Sequence, residues 1–326
     1  MTQKRRASAR AIAHRRRGGE WQLPDEGRLG SLDGATSWIN SSPFTSRDLE
    51  GRVVLVDFWT YTCINWLRTL PYLRAWEEAY STSGLAIVGV HTPEFSFERR
   101  RENVVQQVRR LGITYPVAID NDAVVWTEFA NHYWPAVYIA DAHGRVRYHH
   151  FGEGEYARTE MVIQQLLLEA DAMDVGEDLA TVSPTGLEVA ADWSSLRSPE
   201  TYLGGSQGSG GNLALNQWGV EGRWTIRPES LELGAADGSV RFRFQARDVN
   251  LVMGPGEAGA VIPFVVLLDG TPPGDSAGAD VDRLGRGALA EQNVHQLIRQ
   301  SGVIRERTVE IRFLAPGAQV FCFTFG

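Results

Sequence analysis

The stretch VVLVDFWTYTCINWLRTLP, Val53 to Pro71, joins an apolar run to a segment with helical spacing and carries one of the chain's two cysteines. The run Val53–Trp59 predicts a strand buried on both faces. Beyond Cys63, large apolar side chains recur at helical spacing; they are Trp66, Leu70, Leu73, Trp76 and Tyr80. Cys63 is therefore expected between a buried strand and the start of a helix.

This position suits thiolate chemistry. The unpaired amides and the dipole at a helix start stabilise negative charge, which lowers the pKa of a nearby thiol. Cys63 is therefore our candidate nucleophile. The structural alternative is that Cys63 is a small core residue in an apolar segment.

Strands and helices alternate over residues 31–171. GLAIVGVHTP (Gly84 to Pro93) predicts a second buried strand, and SFERRRENVVQQVRRLG (Ser96 to Gly112) predicts one amphipathic helix. A short strand, a short helix, two strands around a His-Gly turn and a closing helix follow. Residues 31–52 are expected to form a short hairpin before the first main strand. This order predicts an α/β domain with a mixed sheet and flanking helices.

The pattern changes after residue 171. Residues 172–210 are rich in Asp, Ser, Gly and Pro, which predicts a linker. From residue 211 the apolar residues follow period two, as in SVRFRFQARDV and TVEIRFL. Short alternating strands separated by Gly and Pro turns predict an antiparallel β-sandwich over residues 211–326.

The charge of the chain is uneven. The first twenty residues contain seven basic residues and one acidic residue, whereas the whole chain has a net charge of −8. We expect residues 1–30 to form a basic, disordered leader, and the acidic remainder argues against nucleic-acid binding. No apolar run approaches the ~20 residues that span a bilayer, and the leader lacks the apolar core of a secretory signal. We therefore expect a cytoplasmic chain with no membrane partner.

The spacing around Cys63 resembles that of a thioredoxin. Asp57 lies six residues before it, where thioredoxins carry a buried acid, and Trp59 lies four before it, at the position of the active-site Trp. Pro71 lies eight residues after it, and Pro135 in YWPAVYIAD is similar to the cis-proline that faces the cysteine. The resemblance implies a thioredoxin-like fold with Cys63 and Asp57 as catalytic residues. The longer connection between Cys63 and Pro135 resembles that of TlpA-like redoxins, a group related to the AhpC/TSA redoxins.

A wider resemblance covers both domains. FWTYTCIN, GVHTPEFSFE, NHYWPAVYIAD, HHFGEGEY, SPETYLG and FTFG are similar to the soluble part of DipZ-type proteins. There a thioredoxin-like domain precedes a jelly-roll β-sandwich resembling a carbohydrate-binding module. Those proteins usually also carry a membrane electron carrier and a complete Cys-x-x-Cys motif. Here Trp66 occupies the second cysteine position.

Trp66 determines the predicted mechanism. In dithiol exchange the second cysteine releases the mixed disulfide formed by the first, and Trp66 cannot do so. We predict a monothiol protein in which Cys63 attacks a protein or small-molecule disulfide, or a peroxide, and an external thiol completes the reaction. The alternative is a non-catalytic scaffold that binds ligands or partners through the redox-fold groove and the β-sandwich. The predicted substrate groove consists of Trp59, Tyr61, Trp66, Trp134 and Pro135.

Asp57 and the remaining candidates leave alternatives open. Asp57 is either a general base or a buried polar residue satisfied by local hydrogen bonds. The histidines and Glu94 do not follow the spacing of zinc ligands, so we expect no metal and no cofactor. Aromatic residues of the β-sandwich, among them Tyr202, Trp218 and Trp224, are expected mainly in its core, as is Cys322.

Overall fold

The computed structural model describes residues 22–173 and 175–326. The chain divides into two compact units between Ser183 and Pro184. This boundary lies inside the segment 172–210 that we predicted as a linker, and the strand at Thr201–Tyr202 already pairs within the second unit. The predicted linker therefore extends too far, because Leu203 is fully buried in the core of the second unit.

The first unit is built on a six-stranded mixed sheet with the order β1-β4-β3-β2-β5-β6. Its elements are β1 (Ser37–Ile39), β2 (Val53–Trp59), α1 (Ile64–Tyr80), β3 (Leu85–His91), α2 (Arg101–Arg110), β4 (Val117–Ile119), α3 (Val124–Glu128), β5 (Ala136–Ala140), β6 (Val146–Phe151) and α4 (Tyr156–Glu169). Strands β2, β3 and β4 are parallel, whereas β1, β5 and β6 pair antiparallel with their neighbours. The α/β fold predicted from the alternation is confirmed.

The central strand β2 is buried along its whole length, as its apolar sequence predicts. Val54, Val56 and Phe58 contribute to one core cluster on one face of the sheet. Successive side chains of a strand point to opposite faces. Asp57 and Trp59 therefore lie on the other face, where Asp57 meets the first turn of α1.

Three local predictions in this unit need correction. Residues 31–52 do not form a hairpin, because β1 pairs with the distant strand β4. The predicted helix Ser96–Gly112 is a 3₁₀ helix, Ser96–Arg99, followed by α2, since Arg100 has an extended backbone. Residues 22–30 are not a leader, because Glu26 and Leu29 donate backbone hydrogen bonds to Val146 and Gly144. The predicted leader residues 1–21 lie outside the described residues.

The second unit consists of two antiparallel sheets. Its strands are β7 (Thr201–Tyr202), β8 (Trp218–Glu221), β9 (Trp224–Ile226), β10 (Leu231–Leu233), β11 (Gly238–Phe244), β12 (Asp248–Pro255), β13 (Ile262–Leu268), β14 (Arg286–Leu289), β15 (Asn293–Arg299), β16 (Arg307–Phe313) and β17 (Ala318–Phe325). One sheet has the order β15-β12-β17-β10-β9, with β7 added to β17, and the other has the order β14-β13-β16-β11-β8.

The core of this unit lies between the two sheets. Alternate residues of β11 are buried, as period two predicts. The Phe242 ring of one sheet lies 5.0 Å from the Phe323 ring of the other, measured between centroids. The predicted antiparallel β domain after an α/β domain is confirmed.

Candidate functional site

Cys63 is the residue immediately before the first turn of α1, the 17-residue helix Ile64–Tyr80. Its carbonyl oxygen accepts the Leu67 N–H at 3.0 Å, and its own N–H donates to the Thr60 carbonyl oxygen at 3.2 Å. Thr60 and Thr62 are buried, whereas Cys63 is partly exposed. Cys63 therefore lies, as a partly exposed residue, at the positive end of a helix dipole.

Trp66 stands one turn further along α1 and is fully buried. Its indole Nε1 donates to Asp57 Oδ2 at 2.8 Å. Burial raises the pKa of Asp57 to about 7, although the hydrogen bond from Trp66 lowers it. The other oxygen, Oδ1, is buried and has no hydrogen-bond partner among the described residues. An indole therefore meets the buried acid at the position where a Cys-x-x-Cys motif has its second thiol.

Aromatic rings surround this pair. Trp59 and Trp66 stack with their ring centroids 4.2 Å apart and their planes 20° from parallel. Trp59 also makes an edge contact with His91, and Tyr61 stacks on His91 at 5.8 Å. Trp59 and Trp66 are fully buried, and Tyr61 is 1% exposed. These three predicted groove residues therefore lie in a buried layer next to the first turn of α1, in which the indoles of β2 and α1 stack on each other.

Gly89 makes this stacking possible. It pairs with Asp57 in the parallel β2–β3 ladder. A Cβ atom at Gly89 would lie 2.8 Å from Trp59 Nε1 and 3.2 Å from Tyr115 Cε2. The absence of a side chain on β3 therefore lets the Trp59 indole lie against the sheet beside the buried acid.

His91, at the end of β3, is another buried titratable residue of this layer. Burial lowers the pKa of His91 to about 3, so its ring is neutral at neutral pH. Neither ring nitrogen has a hydrogen-bond partner in the described part of the chain. We considered His91 in the sequence only as a metal ligand. In residues 22–173 and 175–326 no group of three or more His, Cys, Asp and Glu side chains could hold a metal ion.

Glu98 is a residue of this region that we did not predict. It is fully buried in the 3₁₀ helix Ser96–Arg99. Glu98 Oε1 accepts the Thr62 hydroxyl at 2.7 Å, and Oε2 accepts the backbone N–H groups of Glu94 at 2.7 Å and Phe95 at 2.9 Å. Burial raises the pKa of Glu98, and these hydrogen bonds oppose the increase. The contact of Glu98 with Thr62 spans 36 residues, so no local sequence pattern revealed it.

Pro135 directly precedes β5. The Trp134–Pro135 peptide bond is cis. Ala136 pairs with Phe58, so Pro135 lies at the same edge of the sheet as the end of β2, which leads to Cys63. Trp134 is partly buried and donates from Nε1 to the Thr92 carbonyl oxygen at 3.1 Å, whereas Tyr133 is 54% exposed. Of the five predicted groove residues, Trp134 is therefore the one with a partly exposed side chain.

The second unit contains the aromatic residues and the cysteine that we expected in the core of the β-sandwich. Cys322 is 1% exposed in β17, and Trp218 is largely buried, as expected for core residues. Tyr202 is 49% exposed, so it is not a core residue. Among the described residues no helix has the length and apolar character needed to cross a membrane.

Family comparisons agree with this geometry in both units. Residues 35–149 match the AhpC/TSA family, and residues 207–326 match the thioredoxin-like C-terminal domain family. The chain is a thioredoxin-like redoxin with a C-terminal β domain. By its domains and relatives it is similar to thiol–disulfide oxidoreductases.

One curated relative aligns with most of the chain, and others align with less than half of it. Over 329 aligned residues this redoxin is 35% identical to the protein DipZ of Mycobacterium bovis, covering 94% of its own length and 44% of DipZ. It therefore spans less than half of that relative. It is 24% identical over 140 residues to the thiol-disulfide oxidoreductase YkuV of Bacillus subtilis, covering 43% of its own length and 94% of YkuV. A solved structure of an oxidised thioredoxin-like protein is 25% identical, with a TM-score of 0.41 over 44% of this chain and 96% of that chain.

Proposed function

We propose that this redoxin is a monothiol protein that exchanges disulfides through Cys63 and depends on an external thiol to complete each cycle. The observation that carries the proposal is the hydrogen bond from Trp66 Nε1 to Asp57 Oδ2, one turn from the partly exposed Cys63. The indole stands at the sequence position of the second thiol. It also donates a hydrogen bond to the acid with which that thiol would interact. The chemistry left to the site is that of one thiol at a helix start.

The exchange proceeds in two steps. The Cys63 thiolate attacks one sulfur of a disulfide R–S–S–R′, forming a Cys63–S–S–R bond and releasing R′S⁻. A second thiolate, R″S⁻, then attacks the sulfur of R, which releases Cys63 as thiolate and forms R–S–S–R″. The net reaction consumes one thiol and one disulfide and produces one of each. The substrate is therefore a protein or small-molecule disulfide, and the resolving group is an external thiol.

The surrounding residues have supporting roles in this proposal. Asp57 accepts a hydrogen bond from Trp66 and holds the indole in the layer beneath Cys63, so we assign Asp57 to the architecture of the site instead of proton transfer to a second thiol. Trp134 and Pro135, at the same edge of the sheet, are proposed to contact the substrate beside Cys63. Trp59, Tyr61 and Trp66 support the site from below.

The test is to trap the intermediate. The reduced protein is incubated with glutathione disulfide near neutral pH, and its mass is measured with and without a later addition of reduced glutathione. We expect one glutathione adduct on Cys63 that persists until the thiol is added. Cys63→Ser should abolish the adduct, and Cys322→Ser should retain it because Cys322 is buried.

The rival function is a non-catalytic scaffold, favoured by the complete burial of three predicted groove residues. A native protein that forms no adduct with glutathione disulfide or with dilute peroxide, although it reacts after unfolding, would support the scaffold and overturn the monothiol proposal. An adduct with peroxide alone would assign Cys63 to peroxide chemistry, with sulfenic acid as its product.

A further inference from the structure

The segment Thr92–Glu98, which follows β3, contacts the residues before Cys63 on one side. The Thr92 N–H donates to the Trp59 carbonyl oxygen at 3.1 Å. Glu98 Oε1 accepts the hydroxyl of Thr62, the residue directly before Cys63, at 2.7 Å. The segment therefore holds the turn between β2 and α1 at both of its ends.

The same segment holds the loop that contains Pro135. The Thr92 carbonyl oxygen accepts Trp134 Nε1 at 3.1 Å. The Thr92 hydroxyl donates to Asp120 Oδ2 at 3.1 Å, which ties the segment to the end of β4. One short segment thus joins the turn that carries the thiol to the loop that is proposed to contact the substrate.

Glu98 differs in burial from the two glutamates nearest to it in the sequence. It is fully buried, Glu94 is partly buried, and Glu102 in the first turn of α2 is exposed. Both of its oxygens accept hydrogen bonds, two from backbone N–H groups of its own segment and one from Thr62. A buried polar group that loses its hydrogen-bond partner is costly, so the pairing of Glu98 with Thr62 resists rearrangement.

We infer that Glu98 is a positioning residue for the Cys63 thiol and acts through the Thr62 hydroxyl. Thr62 and Cys63 share a peptide bond, so fixing the Thr62 side chain restricts the backbone that directs the thiol towards the helix start. The inference rests on Cys63 being the reactive thiol of the proposed function. It assigns the orientation of that thiol to a side chain 35 residues away in sequence.

The test measures the alkylation of Cys63 by iodoacetamide as a function of pH, in a Cys322→Ser background, together with the urea midpoint of each variant. Thr62→Val removes the hydroxyl at nearly constant volume. We expect alkylation to be about tenfold slower at neutral pH, equivalent to ~1.4 kcal/mol in the barrier, with the apparent pKa moving towards the ~8.5 of an ordinary thiol. Thr62→Ser keeps a hydroxyl and should restore both the rate and the apparent pKa.

Two further variants separate positioning from charge and from folding. Glu98→Gln should slow alkylation in the same direction, because the amide has one accepting oxygen where the carboxyl group of Glu98 uses both of its oxygens to accept hydrogen bonds. Glu102→Gln makes the same substitution at an exposed position and is the matched control. It should change neither the alkylation rate nor the apparent pKa of Cys63. Folded Thr62→Val protein with an unchanged rate and apparent pKa would overturn the inference. A Glu98→Gln protein that alkylates faster at Cys63, with a lower apparent pKa of that thiol, would also overturn the inference, since Glu98 would then act through its charge alone.

Alkylation also separates this inference from the proposed function. Iodoacetamide reacts directly with the Cys63 thiolate, and this reaction needs no disulfide substrate. A wild-type protein that alkylates at Cys63 but never forms a glutathione adduct would contradict the proposed exchange and leave the role of Glu98 intact.

Discussion

Asp57 is a buried carboxylic acid whose pKa is raised by burial to about 7. A group with this shift contributes stability that is fully present below its unfolded value, 3.8, and is lost as the pH rises through 7. Asp57→Asn removes the titration and keeps an oxygen that can accept the Trp66 indole. We expect it to raise the free energy of unfolding at pH 8 by a few kcal/mol, since each pKa unit corresponds to ~1.4 kcal/mol, and to change little at pH 4. Urea unfolding at the two pH values measures this.

Asp141 provides the control of opposite sign. Burial raises the pKa of Asp141, but hydrogen bonds from Arg145, His143 and Arg147 together hold it below its usual value. Its stability contribution is present above the unfolded value and is lost as the pH falls. Asp141→Asn should therefore destabilise the protein at pH 8. An Asp57→Asn protein that is no more stable than wild type at pH 8 would contradict the assignment of Asp57 as a buried acid.

Trp66 offers a second test at the scale of one residue. Trp66→Cys restores a second thiol one turn after Cys63. We expect the glutathione adduct to disappear without added thiol and a disulfide to form between Cys63 and the introduced cysteine, which mass spectrometry detects. The same change removes the stacking on Trp59 and should cost about 3–5 kcal/mol of stability, as for other large-to-small core substitutions. Trp66→Phe, which adds no thiol, is the control and should keep the persistent adduct. A persistent adduct in Trp66→Cys would show that position 66 does not decide how the cycle is completed.

At the scale of elements, the packing of β3 against the Trp59 indole depends on Gly89. Gly89→Ala would place a methyl group 2.8 Å from Trp59 Nε1. We expect a loss of about 1–3 kcal/mol, typical of overpacking, seen as a lower midpoint of thermal unfolding. Gly176→Ala is the matched control, because a Cβ atom there would meet nothing within 4 Å. Equal midpoints for the two variants would mean that the indole can move away from the sheet at no cost.

The elements themselves were largely predictable, because the local sequence specifies them. The apolar run of β2 and the helical spacing of α1 predicted the elements on either side of Cys63, and the resemblance to thioredoxins implied a buried Asp57. The predictions failed where distant residues decide the outcome. β1 pairs with β4, and Glu98 meets Thr62 across 36 residues, which no local pattern reveals. Burial of Trp59 and Trp66 likewise depends on Gly89, whose role appears only when β2 and β3 are paired.

At the scale of the whole molecule, each unit has its own core. One cluster belongs to a face of the mixed sheet, and another lies between the two antiparallel sheets of the second unit. We therefore expect residues 22–183, produced alone, to fold and to form the glutathione adduct at the rate of the full chain. Circular dichroism and adduct mass measure the two properties, with Cys63→Ser in the same fragment as the control. A folded fragment that does not react would show that the thiol chemistry requires the second unit.

The stacked indoles of Trp59 and Trp66 also affect how the site can be observed. Two parallel rings 4.2 Å apart couple their electronic transitions, and the Asp57 carboxyl group that accepts from one of them changes charge near neutral pH. Absorption and emission from this pair therefore depend on the docking of α1 and on the protonation of the acid. The two indoles are therefore an intrinsic optical reporter of the site, and one of them stands one helical turn from Cys63.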